Sequence, residues 1–251
     1  MSDVKQQYGL IGYPLSHSFS ANYFAKKFEK ENIKGCDYQT YEIDSIEKLP
    51  QLINDVPNLI GLNVTIPYKQ DVFNYLTSVD EVAKNIGAVN TIKVDQATKE
   101  LKGYNTDYHG FKQSLKPFLE SHHQRALILG TGGASKAVHY VLKELNIDCL
   151  FVSRKPKNEH EIAYEDVNEY VMQHHQLIVN TTPLGMFPEV ETKPELPYEY
   201  LTPQHLLYDL VYNPLETAFL KEGKQKGSIV INGLDMLKMQ AEKSWEIWNK
   251  E

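Results

Sequence analysis

Arg125-Ala126-Leu127-Ile128-Leu129-Gly130-Thr131-Gly132-Gly133-Ala134-Ser135 is the run on which the fold turns. A compact apolar strand passes straight into a glycine turn, and residues 136–145 then carry helical spacing. Strand, glycine turn and helix in that order are what a dinucleotide-binding unit requires. The glycines allow a tight turn and close backbone approach to a pyrophosphate, which rests on the helix N-terminus. Gly130, Gly132 and Gly133, with Thr131 and Ala134, are the candidate cradle, and Ser135 stands where a third glycine is usual, small enough for close helix packing. The other reading of the same residues is a purely structural turn.

Downstream, a strand at 149–152 ends in Ser153-Arg154-Lys155. An NAD-binding fold places an acid here, about twenty positions beyond the glycines, to bind the ribose 2′-hydroxyl. Two cations stand there instead, and they attract a 2′-phosphate, so the residues point to NADP. Residues 156–176 leave room for little more than one helix, with the five acids from 159 to 169 on its solvated face. Further strands are expected at 177–180, 206–212 and 229–233. The turns out of them, Asn180-Thr181-Thr182-Pro183-Leu184-Gly185-Met186 and Tyr212-Asn213-Pro214, lie where a nicotinamide would reach. An amphipathic helix over 236–250 closes the chain, and Gln240 on it is a satisfied core amide or a ligand contact.

Upstream, strands at 8–12, 36–43 and 59–66 alternate with helices at 18–28 and 46–54, an order that indicates parallel pairing with right-handed crossovers. Ser18 and Ser20 open the first helix, where hydroxyls and unpaired N–H groups suit a carboxylate; one of the two also serves as an ordinary N-cap. In Asn63-Val64-Thr65-Ile66-Pro67-Tyr68-Lys69 the proline stops the third strand and leaves Lys69 just past its end, where α/β proteins present chemistry. A helix over 71–86 and a strand over 87–92 follow, the strand carrying Asn90, which can both donate to and accept from a hydroxylated ligand. Asp107 precedes a helix over 111–119, either as its cap or as the carboxylate that orients the Lys69 ammonium for proton transfer.

Composition bounds the partners. The chain has 251 residues, 41% hydrophobic and 24% charged, with formal net charge −7, and a pI near 5.7 offers no electrostatic reason to expect nucleic acid or an anionic membrane. Cys36 and Cys149 form neither a disulfide framework nor a metal-ligand spacing, which suits a reducing cytoplasm, and no metal is expected at His122-His123. No signal peptide is expected in the polar start, and no apolar run approaches a membrane span.

Taken together these motifs resemble the shikimate dehydrogenase family, nearly end to end. The resemblance implies a carboxylate-binding serine pair at Ser18 and Ser20, a substrate contact at Thr65, a catalytic lysine at Lys69, a substrate asparagine at Asn90 and a catalytic aspartate at Asp107. Tyr212 and Gln240 match substrate positions in order. The glycine turn, Ser153 to Lys155, Asn180, Thr181, Thr182, Met186, Leu210 and Gly233 match the cofactor side. Tyr13, Phe19 and Ala21 depart from the family's asparagine, lysine and proline, and Ser153-Arg154-Lys155 stands for Asn-Arg-Thr. The implied protein is α/β, with an N-terminal α/β substrate domain over 1–105 completed by 236–251 and a Rossmann-like NADP-binding domain over 106–235. The implied reaction is reversible reduction of 3-dehydroshikimate to shikimate by NADPH in a monomer or homodimer. Rivals are a quinate or dual quinate/shikimate dehydrogenase and a catalytically silent nucleotide-sensing module.

Overall fold

A computed structural model describes residues 6–15 and 19–250, so the expected anion ligand Ser18 lies outside the described residues. The chain divides into two compact units, one of residues 1–106 with 240–251 and one of residues 107–239. Among the described residues each unit is built on a six-stranded sheet.

The first unit runs β1 (Gln6–Gly12), α1 (Phe19–Lys30), β2 (Cys36–Glu42), α2 (Leu49–Asp55), β3 (Leu59–Val64), β4 (Ser78–Val79), α3 (Glu81–Ile86), β5 (Thr91–Val94) and β6 (Leu101–Tyr104). Its strand order is β2-β1-β3-β5-β6-β4. The β1, β2 and β3 pairings are parallel, as the alternation of strands and helices predicts, whereas β5 pairs antiparallel with β3 and with β6. Residues 71–86 do not form the single helix their spacing predicts. A 3-10 turn over Asp71–Tyr75 comes first, then Thr77 and Asp80 donate their N–H groups to Leu101 and Gly103, making an edge strand. Only from Asp80, whose carboxylate caps Val82 N–H at 3.0 Å, does α3 begin. Asn90 sits one residue before β5 but is bonded as part of the sheet, its carbonyl taking Val64 N–H at 2.8 Å.

Core forms on both faces of this sheet. Ile11, Leu62, Val64 and Ile92 pack with Leu49 and Ile53 of α2, while Tyr8, Leu10 and Tyr38 pack with Phe24 and Phe28 of α1 and with Trp248. Trp248 lies so close to β3 that a Cβ on Gly61 would stand 2.2 Å from its ring.

The second unit runs α4 (Asp107–Leu115), β7 (Arg125–Leu129), α5 (Gly133–Glu144), β8 (Asp148–Val152), β9 (Glu161–Ile162), α6 (Glu169–His174), β10 (Leu177–Asn180), β11 (Leu206–Asp209), α7 (Ala218–Gln225), β12 (Ile229–Ile231) and α8 (Leu234–Asn249), the last helix ending in the first unit. The strand order is β12-β11-β10-β7-β8-β9, every pairing parallel. This is the doubly wound order in which the chain leaves β7 in one direction and returns at β10 to build in the other. Successive residues of β7 and β10 alternate between two clusters. Ala126, Ile128, Leu177 and Val179 face Phe111 and Val138, and Leu127, Leu129 and Ile178 face Met172 and Phe219. Both faces are dry, which is why these strands read as unbroken apolar runs.

Candidate active site

The substrate-side candidates of the first unit gather at the carboxyl end of β3. Thr65 N–H donates to the Ile11 carbonyl at 3.0 Å, and Tyr68 N–H closes a turn on the Thr65 carbonyl at 3.0 Å. Tyr68 is buried and its hydroxyl donates to the Ile43 carbonyl at 2.6 Å. The next residue, Lys69, has its carbonyl held by Val89 N–H at 2.8 Å, so the backbone at Lys69 is fixed on both sides. Asn90 follows Val89, and its buried amide clasps Thr106: the carboxamide oxygen takes Thr106 N–H at 2.6 Å and the nitrogen lies 3.1 Å from Thr106 Oγ1.

A chain of buried polar groups joins Asn90 to Ser20 and Gln240. Ser20 bonds the Tyr38 phenol, whose pKa is pushed up by burial in spite of that bond. Tyr38 in turn donates to Asn63 Oδ1 at 2.8 Å. Asn63 Nδ2 reaches Ser244 Oγ on α8 at 2.9 Å, and Thr106 Oγ1 reaches Gln240 Oε1 at 3.3 Å. Three of the expected substrate residues, Ser20, Asn90 and Gln240, thus belong to one hydrogen-bonded set, and its connecting members Tyr38, Asn63, Thr91, Thr106 and Ser244 carry no role in the sequence reading, although Asn63 opens the motif that ends at Lys69. A signal existed: Asn63 is a polar residue inside an apolar strand, and Ser244 follows Gln240 by one helical turn. Asp107 is the next residue after Thr106 and occupies the first turn of α4, where the helix dipole favours a negative charge.

The nucleotide-side candidates of the second unit lie at the carboxyl ends of its strands, around the switch between β7 and β10 where such sheets bind ligands. Gly130 has φ +95°, and a Cβ there would meet Thr182 Cγ2 at 2.9 Å and Thr181 Oγ1 at 3.2 Å. Thr181 is tied back to the Leu129 carbonyl through its N–H at 3.0 Å and its hydroxyl at 2.6 Å. Beyond Thr131, Gly132 caps α5 and Gly133 begins it, and a Cβ on either would stand in open space. Ala134 and Ser135 complete the first turn, with the Ser135 hydroxyl donating to the Gly132 carbonyl at 2.7 Å. A helix N-terminus opened by two glycines fits a nucleotide pyrophosphate.

At the end of β8 the Ser153 hydroxyl accepts Lys155 N–H at 3.1 Å, a turn that leaves both Arg154 and Lys155 exposed. Asn180 is fully buried. Its oxygen takes Thr182 N–H at 3.0 Å and its nitrogen donates to Asp209 Oδ1 at 3.0 Å, so the side chain shapes the turn that ends in the half-exposed Met186. Asp209, which the strand reading passed over, also accepts from Thr217 Oγ1 at 2.6 Å and Val211 N–H at 3.0 Å. With only neutral donors around it, burial raises its carboxyl from 3.8 to about 6. Leu210 and Gly233 meet directly, because a Cβ on Gly233 would fall 2.1 Å from the Leu210 carbonyl oxygen. Tyr212 is partly buried, which raises its phenol pKa. Among the described residues no group of three or more His, Cys, Asp or Glu is placed to hold a metal, and no helix is long and apolar enough to cross a membrane.

A doubly wound parallel sheet with a glycine turn at its switch point, following a mixed sheet that carries a lysine at a strand end, defines a two-unit α/β protein of the dinucleotide-binding class. The family model for the shikimate dehydrogenase substrate binding domain matches residues 10–92. In an alignment of 252 positions that covers 97% of this chain and 92% of the relative, the sequence is 40% identical to the shikimate dehydrogenase (NADP(+)) of Clostridium beijerinckii. The crystal structure of a chorismate mutase/shikimate 5-dehydrogenase fusion protein from Clostridium acetobutylicum superposes with a TM-score of 0.86 at 37% identity, covering 98% of this chain and 91% of that one. Shikimate 5-dehydrogenase from Thermus thermophilus in complex with NADP(H) and shikimate gives a TM-score of 0.85 at 31% identity, covering 98% and 94%. The chain belongs to the shikimate dehydrogenase family.

Proposed function

We propose that this chain catalyses the reversible, NADP-dependent reduction of 3-dehydroshikimate to shikimate, in the pathway to chorismate and the aromatic amino acids. The observation that carries the reading is the first unit's hydrogen-bonded set, which joins Ser20, Asn90 and Gln240 beside the fixed Lys69 turn in a chain alike over 97% of its length to a shikimate dehydrogenase (NADP(+)). Ser18 and Ser20 hold the substrate carboxylate, and Thr65, Asn90, Tyr212 and Gln240 its ring oxygens. The cofactor is held by Gly130 to Ser135 at its pyrophosphate, by Ser153, Arg154 and Lys155 at its 2′-phosphate, and by Thr181, Thr182, Met186, Leu210 and Gly233 towards its nicotinamide, with Asn180 shaping the turn.

NADPH, when bound, supplies a hydride to the ketone carbon. Negative charge then develops on the ketone oxygen, and the Lys69 ammonium delivers a proton to it. In the oxidising direction the neutral Lys69 amine takes the hydroxyl proton. Asp107 orients the Lys69 side chain for that transfer. Residues 1–106 with 240–251 act as the substrate domain and residues 107–239 as the nucleotide domain. Net charge −7 gives no electrostatic reason to expect nucleic acid or an anionic membrane as partner, and the reading is of a cytoplasmic enzyme of small molecules, a monomer or homodimer.

The test is NADPH absorbance with purified protein, offering shikimate or quinate against NADP or NAD. Shikimate with NADP should give the highest kcat/KM; faster turnover of quinate supports the rival specificity, and no turnover with any pair leaves a nucleotide-sensing module. Neutral residues at both Arg154 and Lys155 should raise the KM for NADP about tenfold or more, the worth of a charge-assisted contact, and leave that for NAD nearly unchanged. Equal losses for both cofactors would remove these two cations from the 2′-phosphate.

A further inference from the structure

Asn180 and Asp209 end the neighbouring strands β10 and β11 opposite one another in register, and both side chains are fully buried. Backbone donors fix the hydrogen-bond directions around the two. Thr182 N–H must donate, so the amide atom it meets at 3.0 Å is Asn180 Oδ1. That oxygen carries no proton, so the Thr182 hydroxyl, 2.6 Å away, donates to it as well and accepts Leu184 N–H at 3.3 Å. Val211 N–H must also donate, which makes Asp209 Oδ1 an acceptor at 3.0 Å, and Asn180 Nδ2 faces that same oxygen at 3.0 Å. A flipped amide would set donor against donor at Thr182 and acceptor against acceptor at Asp209. Asp209 Oδ2 meets the Thr217 hydroxyl at 2.6 Å, and Thr217 caps α7 through Leu220 N–H. The turn that Asn180 governs lies against the glycine turn: Thr182 Cγ2 is the atom a Cβ on Gly130 would meet first, at 2.9 Å. A line of contacts thus runs from Thr217 through Asp209, Asn180 and Thr182 to Gly130, wholly within the second unit.

We propose that Asp209 is a positioning residue: through Asn180 it sets the 181–186 turn at a fixed spacing from the glycine turn, and so aims the nicotinamide end of the cofactor for hydride transfer. This rests on the proposed reading of that turn as the nicotinamide side of the site. The side chain touches neither cofactor nor substrate itself, since each of its oxygens is committed to groups of the protein. The adenosine end is placed elsewhere, at Ser153-Arg154-Lys155 past β8, and β8 lies on the far side of β7 from β10. Loss of Asp209 therefore misplaces one end of the dinucleotide and leaves the hold on the other intact.

The test compares turnover with the binding of a ligand that lacks the nicotinamide, adenosine 2′,5′-bisphosphate, titrated calorimetrically below each variant's melting temperature. Asp209→Ala should lower kcat about tenfold to hundredfold, the cost of a misplaced reacting group, while the Kd for the bisphosphate stays within about twofold of wild type. Asp209→Asn can still offer an oxygen to Val211 and Asn180, with its nitrogen towards the Thr217 hydroxyl, and should bring kcat back to within about threefold. An unmoved kcat in Asp209→Ala, an Asp209→Asn variant as slow as Asp209→Ala, or an equal loss of bisphosphate affinity would reduce Asp209 to scaffold and overturn the inference. If Asp209→Ala does not fold, Asn180→Ala takes its place: it leaves Asp209 bonded to Val211 and Thr217, and the same fall in kcat at an unchanged bisphosphate Kd is expected, an unmoved kcat overturning the inference. Wild-type turnover is measured first: its absence overturns the proposed function and this inference together, while normal wild-type turnover with unmoved variants overturns only the inference.

Discussion

Lys69 owes its position to atoms other than its own ammonium: Tyr68 is anchored through its hydroxyl to Ile43, and the Lys69 carbonyl is held by Val89. Removing the side chain therefore leaves the turn standing, and Lys69→Ala should lower kcat by about two to four orders of magnitude, the usual worth of general acid–base catalysis. The KM for shikimate should change far less, and Lys69→Ala with Asp107→Asn should be little worse than the poorer single variant, since the two act as a unit. Near-normal kcat with a raised KM would make the lysine a substrate clamp. Asp209 gives a prediction of the opposite kind, in stability. Its folded carboxyl titrates at about 6 against an ordinary 3.8, so between those values the folded state binds the proton that the unfolded state has released. Stability from this group is full below the lower value and is lost as pH rises through the upper one, at about 1.4 kcal/mol for each pH unit of the window. Asp209→Asn, which cannot ionise, should gain on the wild type across that window and hold a constant difference above it, as read from denaturant midpoints. Parallel curves for the two proteins would show that Asp209 titrates normally.

Glycines in the second unit separate binding from packing. Gly132→Ala adds a Cβ to open space at the cap of α5 and should leave the melting temperature nearly unchanged while weakening NADP binding about tenfold or more. Gly233→Ala places a Cβ against the Leu210 carbonyl and should lower stability by about 1–3 kcal/mol as well as nucleotide affinity. Equal melting temperatures for the two variants would contradict the close approach of Gly233 and Leu210. The same contrast explains what the sequence disclosed. The strands of the second sheet were legible because both their faces are apolar, and the glycine turn because its chemistry is local. The helix α7 was not, since its Gly223 lowers helix propensity and is there because a Cβ would meet Leu207 at 2.7 Å. Strand β6 was hidden likewise by Gly103, which makes room for Leu76. In the substrate half, Lys69 and Asn90 stand in readable motifs. The Asn63 to Ser244 bond spans 181 positions, and no local pattern marks a contact made at that range.

Across the whole molecule, helix α8 is shared, with Met236 in a core of the second unit and Trp248 in a core of the first. Trp248 donates to the Ile92 carbonyl at 2.9 Å and packs its ring at a tilt against Tyr8, Phe24 and Tyr38. Lys27 of α1 adds an ion pair to Glu242 at 2.8 Å. Trp248→Ala should therefore cost about 3–5 kcal/mol in the first unit and impair shikimate binding, while NADP affinity is retained. Loss of both affinities together, measured by titration below the variant's melting temperature, would contradict this division of the core. The order in which a ribosome releases the chain gives the shared helix a further consequence. Residues 240–251 emerge after all of the second unit, so the first sheet, although its strands are made earliest, must wait for Trp245 and Trp248 before its aromatic layer can close. At about 5–20 residues per second that wait lasts roughly seven to thirty seconds, during which Tyr8, Phe24 and Phe28 lack their final cover and the nucleotide unit has time to fold first.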